Sequence, residues 1–241
     1  MNSLIVLAML LIGCLLFSAI VYVTQFFDLG GAVATFLFLM IVMARSPPWW
    51  SFVLVAMYVT ILGATIYKKN DKARIRGAQF AEESKKRTYT NVIGKIALPA
   101  IAAILGDTGM FISSTSFGVA DSFANEIGIL SRRRPLLITT GESVDPGTNG
   151  AVSPLGTFAC IISSVSIGLM IPLLSFFECP WIPCLILGLV TGVLGSFIDS
   201  LMGATLENQG VLRGWQINFF SGLVIGVIGS YIYPIFYMLF H

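Results

Sequence analysis

"KKNDKARIRGAQFAEESKKR", residues 68–87, carries eight of the fourteen lysines and arginines in this 241-residue chain. Its place among the apolar stretches decides the fold. Eight apolar spans are legible, at roughly 3–26, 29–44, 50–67, 92–106, 109–130, 155–177, 183–205 and 218–240, each near the ~20 residues that cross a bilayer as a helix. Lys95 follows the basic run, Arg132–Arg134 stand in "SRRRP", and Arg213 lies between the last two spans. With eight spans all of these cations fall on one side and only Arg45 on the other. A seven-span count splits them. Cationic loops stay cytoplasmic, so loops 68–91, 131–154 and 206–217 are expected in the cytoplasm and both termini outside.

Composition agrees. The chain is 56% hydrophobic and only 11% charged, where soluble domains carry about 25% charged residues. The expectation is an all-α, polytopic helix bundle, multi-pass in the cell membrane, with no nucleic-acid partner. It divides into a three-span segment (1–67), a basic cytoplasmic loop (68–91) and a five-span core (92–241). "SPPWW" (46–50) breaks the second span from the third, and its paired tryptophans suit the membrane interface. Most of 68–87 reads as a solvated charged helix beside lipid headgroups. Cys14, Cys160, Cys179 and Cys184 form no C-x-x-C pair. Scattered membrane cysteines read as small hydrophobes, in preference to a Cys179–Cys184 bridge. His241 is the sole histidine, which argues against histidine catalysis and histidine-held zinc.

Acids inside apolar spans are costly and mark function. Asp107 lies in "LGDTG" (105–109), Asp121 and Glu126 in "GVADSFANEIG" (118–128), and Asp199 in "GSFIDSLMGATLENQG" (195–210). Asp121 and Asn125, four apart, share a helix face. Glu126 is turned about 140° from Asp121 and belongs to a different contact. Gly203 shares a face with Asp199 and admits a close neighbour. With almost no cation expected inside the membrane, a bound divalent ion would neutralise these acids, and Mg²⁺ prefers such oxygens with phosphate completing its shell.

"PLLITTGESVDPGTNGAVSPLGT" (135–157) is the counterpart. Gly141, Gly147 and Gly150 let backbone approach a ligand. Their amides, with the Thr139, Thr140, Thr148 and Ser153 hydroxyls, suit a phosphate nest at the start of the next span. Arg87 and Asn91 at the end of the basic run, and the Arg132–Arg134 run, are expected to approach the bound anion at the cytoplasmic rim, and the polar Asn218 begins the last span. Carboxylates for Mg²⁺ beside a phosphate loop make the pairing that phosphoryl transfer needs.

At "ADSFANEIG" (120–128), the 135–157 loop and "GSFIDSLMGATLEN" (195–208), with weaker echoes in "NVIGK" (91–95) and "QINFFSG" (216–222), the chain resembles the integral-membrane family of domain of unknown function 92. That family includes vertebrate transmembrane protein 19 and the plant phytyl-phosphate kinase. The resemblance implies a Mg²⁺-dependent kinase that converts a phytyl- or geranylgeranyl-type monophosphate to the diphosphate, with a nucleoside triphosphate, CTP foremost, as donor. Carried over, Asp121, Glu126 and Asp199 are its catalytic and metal-holding acids. Asn125, Thr139, Thr140, Gly141, Pro146, Gly147, Thr148, Gly150, Ser200, Gly203, Ala204 and Thr205 match its binding motifs. "FANE" stands where the family tends to Trp-Ala-Ser-Glu, and Glu207 where glutamine is common. Membrane lipid and a second copy of the chain complete the expected partners. The competing readings are a lipid-alcohol kinase or cytidylyltransferase, a secondary transporter of a small anion, and a lipid-binding structural protein.

Overall fold

The computed structural model describes residues 3–75, 88–176 and 179–240. Among these, apolar helices follow in the order α1 (Ser3–Val23), α2 (Leu29–Arg45), α3 (Pro48–Ile66), α4 (Tyr89–Leu105), α5 (Thr108–Gly128), α6 (Pro154–Leu174), α7 (Trp181–Met202) and α8 (Gly214–Phe240). Pro48–Ile66, Pro154–Leu174, Trp181–Glu207 and Gly214–Phe240 are long and apolar enough to cross a membrane. Leu11–Val23, Leu29–Arg45 and Tyr89–Leu105 are shorter apolar helices. The protein is therefore a helical membrane bundle.

Helix ends follow local chemistry. Asp28 accepts from Gly31 N at 2.7 Å and starts α2, Asp107 accepts from Met110 N at 2.8 Å and starts α5, and the Ser153 hydroxyl accepts from Gly156 N at 3.1 Å and starts α6. Such caps contribute ~1 kcal/mol each. Asp107 is thus a cap. Helices α4 and α8 begin before the expected 92 and 218, because side chains cap them early: Thr88 N donates to Asn91 Oδ1 and Arg213 N to Gln216 Oε1, both at 2.9 Å.

Helix α5 stands at the centre. Every residue from Gly109 to Ser122 is buried, and the helix packs against α3, α4, α6, α7 and α8. This placement explains its polarity. Its serines are satisfied inside the bundle: Ser116 Oγ donates across to Gly188 O of α7 at 2.6 Å, and Ser114 Oγ back to Met110 O of its own helix at 2.7 Å. Small residues set the spacing. A Cβ on Gly168 would come within 2.9 Å of Leu185 Cα, and one on Gly109 would meet the Gly229 carbonyl. Close backbone approach of this kind drives helix association where no hydrophobic gain is available.

Two expectations are corrected. Trp49 and Trp50 are in the core, 7% and 2% exposed. Trp50 stacks on Phe111 of α5 at 4.0 Å between centroids and Trp49 meets the same ring edge-on at 5.9 Å, so both rings pack inside the bundle. Cys179 and Cys184 are disulfide-bonded: the chain turns through Pro180 into α7 and brings their Cα atoms to 6.6 Å, within bridging range. The bridge lies at the opposite end of α6 and α7 from the glycine-rich loop.

Candidate functional site

The α5–α6 connection folds into a two-stranded hairpin, β1 (Leu136–Leu137) against antiparallel β2 (Ala151–Val152). Its return arm lies on the end of α7. There the helix widens into a π turn, Gly203–Glu207, closed by Asn208 N donating to Gly203 O at 3.3 Å. Such π turns recur at functional sites. Gly150, at φ +76°, rests directly on Ala204, and a Cβ on Gly203 would stand 3.2 Å from Gly150 N. The Asn208 amide ties the two together, donating to Asn149 O at 3.3 Å and Ala204 O at 3.2 Å.

Beneath this contact lies a cavity of about 430 Å³. Its walls include Asn125, Gly147, Thr148, Gly150, Ser153, Thr157, Asp199, Ser200, Gly203, Glu207 and Asn218. The loop and the second acidic helix, far apart in sequence, thus share one chamber, and the N-terminus of α6 opens on it. Asp199 and Glu207 are the charged side chains on its wall; no lysine, arginine or histidine lines it among the described residues. Asp199 Oδ1 and Asn218 Oδ1 are buried there without a hydrogen-bond donor.

Other expected residues lie elsewhere or have committed groups. Thr139, Thr140 and Gly141 occupy the hairpin tip and do not line the chamber; the Thr140 hydroxyl accepts from Glu142 N at 3.3 Å. The Ser153 hydroxyl, besides capping α6, donates to Gly128 O at 3.0 Å. The Thr148 hydroxyl donates to Asp145 O and that of Thr205 to Leu201 O, both at 2.8 Å. The hydroxyl hydrogens of Thr148, Ser153 and Thr205 are thus directed to protein carbonyls. Arg134 meets Asp145 at 3.9 Å on the exposed surface. Arg87 lies outside the described residues.

The acids of α5 have partners that the sequence reading missed. Lys95 Nζ of α4 stands 2.9 Å from Asp121 Oδ2 and donates to Ser122 Oγ at 2.7 Å. Asn125 Nδ2 donates to Asp121 Oδ1 at 2.9 Å, as the shared helix face predicts. Each oxygen of Asp121 thereby accepts one hydrogen bond. Glu126 does belong to a different contact: Lys72, from the helical run 69–75, buries its ammonium 2.9 Å from Glu126 Oε2 and donates to Ala64 O at the end of α3. The expectation that these acids have almost no cation among them is corrected, because both lysines were counted with the cytoplasmic basic loop. Asp121 and Glu126, two of the three expected metal-holding acids, thus each face a lysine, while Asp199 lines the larger cavity. Among the described residues no group of three histidine, cysteine or acidic side chains is placed to hold a metal. A lysine among apolar residues at 92–105, set against an acid-bearing helix, was the available signal for Lys95. Nothing local marked Lys72.

A second, smaller cavity of about 160 Å³ adjoins the first. Lys95, Asp121, Ser122, Glu126 and Asn91 form its polar wall, and Asn125 and Asn218 line both cavities.

Comparison with known proteins places these features in a family. The integral membrane protein family DUF92 matches residues 12–217. An uncharacterized membrane protein of Methanocaldococcus jannaschii is 37% identical over 153 residues, 61% of this chain and 63% of the relative, so the match spans less than two thirds of that protein. Protein PGR of Arabidopsis thaliana is 24% identical over 78% of this chain and 75% of its own length. An uncharacterized membrane protein of Synechocystis is 27% identical over 74% of this chain and 73% of its own length. No solved structure matches.

Proposed function

We propose that this chain, which belongs to the integral membrane protein family DUF92, is a phosphotransferase. In this reading it moves the terminal phosphoryl group of a nucleoside triphosphate, CTP foremost, onto a prenyl monophosphate. One observation carries the reading: the larger cavity joins a glycine-rich loop and a helix N-terminus, both suited to phosphate, to an acidic wall holding two buried oxygens that lack donors. A polyphosphate would be repelled by that wall alone. A divalent cation between them satisfies both.

Mg²⁺ fits this donor set. Asp199 and Asn218 offer free oxygens, Glu207 lies on the same wall, and phosphate oxygens would complete the shell, as Mg²⁺ favours. Asp121 and Glu126, each already facing a lysine ammonium, are not needed as ligands. When bound, the ion would neutralise charge developing on the phosphates. The amides around Gly147–Gly150 orient the triphosphate chain. The acceptor's phosphate oxygen, anionic at neutral pH, attacks the terminal phosphorus; the new P–O bond forms as the bond to the β-phosphate oxygen breaks, and the nucleoside diphosphate leaves. No general base is required, and none of the described residues lining the chamber is a histidine.

The cavity is proposed to face the cytoplasm of a cell membrane, where nucleotides are. The positions of the basic residues support this, as does the Cys179–Cys184 bridge at the far end of α6 and α7, since disulfides persist in oxidising compartments. The test is transfer of label from γ-labelled CTP to geranylgeranyl phosphate by the purified chain, abolished by chelating Mg²⁺. Geranylgeraniol run in parallel separates a lipid-alcohol kinase. The buried lysine–carboxylate pairs favour one second reading, an ion-coupled carrier. That reading requires uptake into sealed vesicles with no nucleotide turnover.

A further inference from the structure

We propose that the smaller cavity is the seat of the acceptor's head, and that Lys95 is the residue that binds its phosphate. The ligand class is a phosphate monoester on an apolar chain. The proposal rests on the phosphotransferase reading for the chemistry of that ligand, but its site is a different one.

The two walls of the cavity differ in kind. One is apolar and comes from the N-terminal helices and the turn between α1 and α2: Phe26, Phe27, Met57, Tyr58 and Ile61. The other is polar and comes from α4, α5 and α8. A lone nucleotide or free phosphate has no use for the first wall, and an unmodified hydrocarbon has none for the second.

The polar wall carries one cation, Lys95, beside two carboxylates, Asp121 and Glu126, each already paired with a lysine. Each Asp121 oxygen already accepts one hydrogen bond, and Glu126 faces Lys72, which does not line the cavity. Lys95 has three N–H donors, of which Asp121 and Ser122 take two. Its side chain is 20% exposed where that of Asp121 is 3%. The remaining N–H is free to meet an anion, and lysine serves such anions as a point charge. Asn125 and Asn218 separate this cavity from the larger one. A head held by Lys95 would thus stand next to a triphosphate held by the loop, as group transfer demands. Asp121 is then a positioning residue that fixes the ammonium, not a metal ligand.

Binding of tritiated geranylgeranyl phosphate to the full chain in detergent, without nucleotide or Mg²⁺, tests this. Inorganic phosphate and geranylgeraniol serve as competitors. The wild type is expected to bind saturably, with both competitors far weaker than the intact monoester. Lys95→Met should weaken binding by about 10- to 100-fold, the range for a hydrogen bond to a charged group. Because that variant strands a buried carboxylate, Lys95→Met/Asp121→Asn is measured beside it and should lose binding equally. Asp121→Asn alone, which keeps the ammonium but removes the charge that fixes it, should weaken binding by less than Lys95→Met does. CTP affinity, measured separately, should survive in all three. Wild-type binding by the double variant, or a loss in Asp121→Asn equal to that in Lys95→Met, overturns the proposal. So does inorganic phosphate competing as well as the lipid phosphate, which would make this a free-anion site, and so does an absence of wild-type binding. Binding as described without label transfer from CTP would remove the enzyme and keep the site; transfer without Lys95-dependent binding would do the reverse.

Discussion

Gly150→Ala tests the docking of the hairpin on α7. Gly150 has φ +76°, and an added Cβ would lie 2.5 Å from Ala204 N and 2.6 Å from Ala204 Cα. Neither is the end of a flexible side chain, so the backbone itself must part. Gly141 is the control. It has nearly the same φ, +72°, but nothing within 4 Å of its added Cβ. Alanine in the left-handed region costs about 1–2 kcal/mol and applies to both. The collision applies only to Gly150 and adds about 1–3 kcal/mol, the usual range for overpacking. The hairpin has few other ties to α7, chiefly the Asn208 amide on Asn149 O, so it should lift rather than unfold the bundle. Hydrogen exchange of the amides in 146–153, followed by mass spectrometry in detergent, reads this directly. Gly150→Ala should lose about 5- to 150-fold more protection than Gly141→Ala, the collision energy converted at 1.4 kcal/mol per tenfold. Equal losses in the two variants would refute the argument, because they would mean that Ala204 does not confine the loop.

Asp199→Asn keeps the shape of the larger cavity and removes its charge; transfer from CTP should fall at least 100-fold, with a higher Mg²⁺ requirement in a metal titration, an order of magnitude set by losses of key electrostatic groups. Ser153→Ala removes the cap of α6 and should lower stability by about 1 kcal/mol, seen as an earlier midpoint in detergent unfolding. Glu126→Gln leaves the Lys72 ammonium, 5% exposed, without its carboxylate, and should destabilise by roughly 3–5 kcal/mol. The double variant Lys72→Met/Glu126→Gln should recover much of that loss, and a double-mutant cycle on thermal unfolding measures the coupling.

The helices and their order were legible because each is a long apolar run punctuated by proline, glycine or a capping side chain. The joining of the 135–157 loop to Asp199 was legible in part: Gly203 on the Asp199 face announced a close neighbour, and Gly150 is that neighbour. The lysine pairs were not legible. Lys72 sits in a run whose other charges read as solvated, and only the folding back of 69–75 onto the end of α3 brings its ammonium to α5. The burial of Trp49 and Trp50 was hidden for the same reason. A tryptophan pair beside prolines fits an interface equally well until a partner ring, here Phe111, is supplied from another helix. The hairpin tip escaped because glycine and threonine mark both ligand loops and ordinary turns; Thr139–Gly141 form the turn.

The enclosure of α5 also constrains how the protein is made. Thr108–Gly128 carries serines, threonines and two acids along a helix that has no lipid-facing side over most of its length. Insertion machinery releases segments into the bilayer according to their apolarity, and this one would leave it poorly on its own. Its shelter includes α6, α7 and α8, which emerge later from the ribosome. The nascent chain must therefore hold α5 against α3 and α4, or at the translocon, until the C-terminal helices arrive. Damage to the glycine contacts of α8 would then cost the cell the whole protein at the stage of membrane integration, before any site has formed.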